Sequence, residues 1–188
     1  DLTDIGYRQI EELALHLINV ITYKKYVKIN VIISPLTRTM KTAKVFLDKL
    51  QEKNIDCTIT TLVNIVEYTG TNKEISSNLE KMGIKHDNWE SFLIRVKSFN
   101  DYLKNELQEK DHDITMIFGH GLFLSVLLSY QGVQENIPGT FHTCFKLANC
   151  SISTVSYVSS DIERPWRMYN IGSTKHLSED LIYDEYVF

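Results

Sequence analysis

The apolar positions of this chain change period several times, and each change marks an element. Between residues 3 and 22, Ile10, Leu13, Leu17 and Ile21 recur at the spacing of a helix, with Thr3 placed to cap it. "KINVIIS" (28–34) reads as a buried strand, its apolar run Val31–Ile33 stopping at Ser34-Pro35. A second helix is predicted over 37–53, with Ala43, Phe46, Leu47 and Leu50 on one side, and a second strand in "CTITTLV" (57–63). A polar stretch, roughly 68–87 with Gly70 and Gly83, reads as an excursion over the surface. The clearest helix is 88–109, where Trp89, Phe92, Leu93, Val96, Leu103 and Leu107 form an apolar stripe. "ITMIFGH" (114–120) predicts a third strand, "GLFLSVLLSYQG" (121–132) a helix, and "CSISTVSYV" (150–158) and "WRMYNIG" (166–172) late strands. Strands alternating with helices predict a three-layer α/β/α architecture around a mostly parallel sheet. No repeat or low-complexity linker divides residues 1–188, which read as one domain.

Composition narrows the function classes. Hydrophobic residues at 43% and charged residues at 23% are ordinary for a globular protein and leave enough apolar surface for a core. The net charge of −4 gives no global basic footprint for nucleic acid, so an anionic substrate would need a locally positive pocket. Cys57, Cys144 and Cys150 are odd in number and have no CxxC spacing, which points to a reducing, intracellular and cytoplasmic setting and gives no zinc site. No apolar run approaches the ~20 residues of a membrane span. The sequence does not open on Met, so a targeting segment upstream would lie out of view.

Three strand ends carry polar residues. The first leads into Ser34 and Arg38, the second into Asn64, Glu67 and Gly70, and the third into His120 between Gly119 and Gly121. In a parallel sheet these ends share one edge, where ligands bind, so Arg38, Glu67 and His120 are expected to converge. Helices start just after Ser34 and just after His120, and helix N-termini present free N–H groups to an anion. An arginine fork, a histidine and backbone N–H groups of Gly121 and Leu122 together suit a phosphoryl group, and a glutamate beside them suits acid–base work on the leaving oxygen. Taken singly, Arg38 reads as a surface charge and Glu67 as a solvated loop carboxylate. His120 is harder to dismiss, since a core histidine seldom sits at a turn. His16, His86, His112 and His142 lack ligand-like spacing and read as structural or surface residues.

In order along the chain, the motifs resemble those of the histidine phosphatase superfamily, the phosphoglycerate mutase-like fold. "DLTDIGYRQIEELA" is similar to that family's Leu-Thr-x-x-Gly-x-x-Gln entry into its first helix, and "SPLTRTMKTA" to its Ser-x-x-x-Arg-x-x-x-Thr-Ala segment. "VEYTG" resembles the loop with the acidic residue, "IFGHGLFLSVLL" the second-histidine strand and helix, and "NCSISTV" and "YNIGSTKHL" the closing segments. The resemblance implies that Arg38 and His120 bind the transferred phosphoryl group, that Ser34, Gly121 and Leu122 line its site, and that Glu67 donates a proton to the leaving alcohol. Asn149, Asn170 and His176 match motif positions with a mainly structural role. The implied chemistry runs through a phosphohistidine with neither metal nor cofactor.

One departure stands beside the match. The family's nucleophile lies in an Arg-His-Gly triplet ending its central first strand, upstream of the Leu-Thr segment, and no such triplet occurs in the sequence. The triplet is expected upstream of Asp1; it could instead come from a complementing chain, or the protein could be a relative that has lost catalysis. The expected activity is hydrolysis of a small phosphorylated substrate. The alternatives are a catalytically inactive domain serving as a binding or structural subunit and, less favoured because "YTGTNKEISSNLEKMGIKHD" does not resemble the mutases' segment, a phosphoglycerate mutase. A homodimer remains an open partner. The acidic, aromatic tail "SEDLIYDEYVF" reads as a surface extension.

Overall fold

The computed structural model describes residues 2–68, 70, 80, 88–132 and 145–182. Most of the predicted surface excursion, Cys144, His86, His142 and the last six residues of the tail lie outside the described residues.

Helix α1 (Asp4–Lys24) begins at Thr3, whose hydroxyl accepts from the Gly6 N–H at 3.1 Å, and ends on Lys25 in the left-handed region. It is followed by β1 (Ile29–Ile33), α2 (Thr37–Glu52), β2 (Cys57–Thr61), a 3-10 turn (Val63–Ile65), α3 (Trp89–Glu109), β3 (Ile114–Phe118), α4 (Gly121–Gly132) and an antiparallel pair, β4 (Ile152–Tyr157) and β5 (Trp166–Ser173). The second strand is shorter than its apolar run suggests, because Val63 and Asn64 turn out of the sheet into the 3-10 turn.

β1, β2 and β3 form a parallel sheet in the order β2-β1-β3, with Ile33 level with Thr61 on one side and Phe118 on the other. β1 is central, and all five of its residues are buried. Its side chains alternate between two cores, as the pleat demands. Ile29, Val31 and Ile33 join Met116 and Phe118 beneath α1 and α2. Ile32 faces the other way, towards Phe92, Val96, Phe99 and Leu103 of α3 and Phe123, Val126 and Leu127 of α4. Helices therefore cover both faces of the sheet, in three layers.

The β4–β5 pair forms a sheet of its own, with irregular register between Ile152 and Val155. Ile152 packs against the first core and Trp166 against the second, so the pair straddles both layers. Among the described residues, β3 pairs with a strand on one edge only, and β4 pairs with β5 alone. The segment after β5 returns to α1: the Gln9 amide donates to the Leu181 carbonyl, and the Ser178 N–H and hydroxyl donate to Glu12.

Candidate active site

Two adjacent parallel strands end together and release two helices. Ser34 follows β1 directly, and its N–H donates to the Phe118 carbonyl at the end of β3. Arg38 stands in the first turn of α2, which has neither a side-chain cap nor an acidic residue to offset its partial positive charge. His120 closes the turn from β3 into α4, where its carbonyl accepts the Leu124 N–H. Sequence positions 34, 38 and 120 are thereby brought to one point, the carboxyl edge of the sheet.

His120 is only 4% exposed, and both its ring nitrogens are engaged. Arg38 Nη2 lies 3.0 Å from Nδ1 and Ser34 Oγ 2.7 Å from Nε2, with Thr39 Oγ1 at 3.4 Å from the same nitrogen. A guanidinium can only donate, so Nδ1 must carry the lone pair and Nε2 the hydrogen. The tautomer follows from the hydrogen bonding. Burial, then the charges of Arg38 and Arg95, lower the His120 pKa to about 3, so the imidazole is neutral at physiological pH. Ser34, fully buried, reaches the imidazole and so orients it.

Glu67 arrives from the loop after the 3-10 turn. Its Oε1 accepts from the N–H of Phe123 at 3.2 Å and of Tyr68 at 3.0 Å, and its Oε2 accepts from the Leu122 N–H at 3.3 Å. The carboxylate thus caps the amino end of α4, the helix that His120 introduces. The Leu122 N–H, expected to face a phosphoryl group, is given to Glu67 in this arrangement. A Cβ added to Gly121 would meet only the Leu147 carbonyl, at 4.0 Å, so this side of the turn is open.

The closing motif residues take other positions. His176 Nε2 lies 3.0 Å from the Cys150 carbonyl and its ring stacks on His16, at 5.1 Å between centroids. Asn149 lies in the exposed turn before β4, and Asn170 is exposed on β5, level with Thr154.

Sequence reasoning missed Arg95. From α3, its Nη1 donates to the carbonyls of Asn64 at 2.9 Å and Val66 at 2.6 Å, one inside the 3-10 turn and one just after it. Its guanidinium lies over the Phe92 and Phe123 rings, at 5.2 and 5.8 Å. A signal was there to find: Arg95 falls three residues after Phe92 and four before Phe99, inside the apolar stripe. A charge on a buried stripe needs partners. No group of His, Cys, Asp and Glu among the described residues is arranged to hold a metal ion, and no helix among them is long and apolar enough to cross a membrane. A groove of about 460 Å³ beside Leu47, Ile55 and Cys57, at the opposite end of β2, contains none of the site residues.

The molecule is thus a three-layer α/β protein with a basic, histidine-centred site at the carboxyl edge of its parallel strands. The family model for the histidine phosphatase superfamily (branch 1) matches residues 1–165, and the chain belongs to that superfamily. Membership supports phosphoryl-group chemistry of the phosphatase or mutase type. Neither the comparison with curated proteins nor that with solved structures found a match.

Proposed function

We propose that this protein is a phosphomonoester hydrolase working through a phosphohistidine. The observation that carries the reading is the triad Arg38–His120–Ser34, with a neutral imidazole held between a guanidinium and a buried hydroxyl. A phosphoryl dianion entering beside Arg38 would draw the guanidinium from Nδ1 to its own oxygens. It would also favour a proton on the freed Nδ1, turning His120 into a second donor as negative charge develops.

The nucleophile belongs on a strand ending in Arg-His-Gly. The edge of β3 that faces no described strand is the place such a strand would take, which would bring its carboxyl end beside His120. With Glu67 protonated from solvent, imidazole nitrogen then bonds phosphorus as the ester P–O bond breaks, and the Glu67 carboxyl passes its proton to the leaving oxygen. Water next attacks phosphorus, Glu67 takes its proton, the P–N bond breaks, and inorganic phosphate leaves. A second reading, a phosphatase-like binding subunit, applies if no segment carrying Arg-His-Gly completes the site.

The deciding experiment, on the protein as encoded with any residues upstream of Asp1, is phosphate release from simple phosphomonoesters, with acid quenching and tryptic mapping to trap the acid-labile phosphohistidine. Turnover with a trapped phosphohistidine is expected. No turnover and no trapped phosphate, in protein that binds orthovanadate, would favour the binding subunit.

A further inference from the structure

We propose that Arg95 is the positioning residue that sets Glu67 on the amino end of α4. Its role in turnover rests on the phosphatase reading above; its role in holding the loop does not. The Glu67 loop leaves the sheet at Leu62, whose N–H still donates to the Ile33 carbonyl, and it makes one internal turn bond, Val66 N–H to the Val63 carbonyl. Beyond these, two bonds from Arg95 Nη1 anchor the loop's carbonyls, at Asn64 and at Val66, the residue before Glu67. One guanidinium nitrogen thus ties two peptide planes and fixes the direction in which the chain presents the Glu67 side chain.

The same guanidinium lies over Phe92 of its own helix and over Phe123, whose N–H is one of the donors to the Glu67 carboxylate. Arg95 therefore touches all three parts that must keep register: α3, the acid loop and the first turn of α4. Its guanidinium lies over two rings, where a cation gains from the aromatic faces as well as from its hydrogen bonds. A lysine at this position could supply charge and donors, but it lacks the planar fork that keeps the Arg95 head in one orientation.

The test uses Arg95→Met, which keeps the packed stem, and Arg95→Lys, which keeps charge and a donor. The first readout is amide hydrogen exchange at Leu122 and Phe123, compared with β1. In Arg95→Met these two amides should exchange about tenfold faster or more, as expected when a carboxylate no longer holds them, with β1 unchanged and Arg95→Lys intermediate. Exchange matching wild type in both variants would overturn the proposal, whether or not the protein is a phosphatase. Should Arg95→Met fail to fold, Arg95→Lys decides by the same amides.

The second readout is leaving-group dependence. An alkyl phosphate needs a proton on its departing oxygen, whereas 2,4-dinitrophenyl phosphate does not. A misplaced acid should cost the alkyl ester roughly 100-fold, the low end of what general acid catalysis contributes, and the aryl ester at least tenfold less. Equal losses on both esters would assign Arg95 to general folding and overturn the positioning role. Absence of any wild-type turnover would count against the phosphatase reading alone, leaving the exchange result to judge Arg95.

Discussion

Arg38 and His120, 82 positions apart in the chain, meet with a guanidinium nitrogen 3.0 Å from the Nδ1 lone pair of the imidazole. Burial is the larger cause of the neutral ring, and this contact adds to it, because a protonated Nδ1 would point its hydrogen at a cation. Removing the guanidinium in Arg38→Met should therefore raise the His120 pKa from its depressed value of about 3, as followed by imidazole carbon shifts in NMR titration. An unmoved titration would mean that burial alone keeps the ring neutral. On the phosphatase reading, the same variant should also lose turnover about 100- to 1,000-fold, as loss of one transition-state donor does.

Acid should act on stability through the same ring. The folded-state pKa of His120 lies below the ordinary value, so the unfolded chain binds the proton more readily. The contribution is intact above about pH 6.5, and it is lost at about 1.4 kcal/mol per pH unit as pH falls from there towards about 3. Glu12 and Asp113, held low by hydrogen bonds from the Ser178 hydroxyl and the Lys28 amide, also lose stability towards acid pH. The comparison must therefore be with His120→Asn: urea midpoints of the two proteins should diverge between pH 7 and 4, with wild type the steeper. Parallel curves would refute the assignment.

Ser34 offers a test of orientation within the core. It is fully buried and its hydroxyl is 2.7 Å from Nε2. Ser34→Ala leaves that N–H with only Thr39 Oγ1 at 3.4 Å, a distant partner. The expected cost is ~1–3 kcal/mol for a buried donor left short of a bond, measured by denaturant unfolding. A double-mutant cycle with His120→Asn should show most of that cost disappearing, since the two residues share one interaction.

Phe99 is the structural control. It is fully buried, and its ring packs edge-on against Phe123, with centroids 5.7 Å apart, in the core that supports α4. Phe99→Ala should cost ~3–5 kcal/mol through lost burial and the cavity left behind. Binding of orthovanadate to the variant that remains folded should change little, because Arg38, Ser34 and His120 hang from the strands.

Much of this was legible from residue order. The stretch 28–34 reads as a buried strand, and among the described strands β1 lies between β2 and β3 with all five residues buried. The 88–109 stripe reads as a core helix, and Phe92, Val96 and Leu103 are buried in it. Two details inside that stripe were not: Trp89 is 40% exposed at the helix start, while Phe99 and Asn100, unremarked in the pattern, are buried. Periodicity gives a face but not the angle at which a neighbouring helix covers it. The convergence of positions 34, 38 and 120 follows from parallel strands ending at one edge. The bond pattern around His120 does not, because it depends on side-chain directions at two turns. Arg95 escaped in part for a related reason: a charge inside the apolar stripe signals a need for partners, but main-chain carbonyls leave no mark in a sequence to say which they are.

The two halves of the site are fastened differently. Ser34, Arg38 and His120 are attached to β1 and β3, strands joined to each other and pressed between two cores. Glu67 is carried on a loop that bonds to α3 and α4 and is seated by Ile65, a member of the second core, and by the fully buried Val66. Opening the first half requires parting the central strands, and moving the second requires lifting apolar side chains out of the other core, so neither is a low-cost fluctuation. The two halves answer to different cores: a change beneath α1 and α2 is felt first at Ser34 and Arg38, and a change beneath α3 and α4 first at the Glu67 carboxylate.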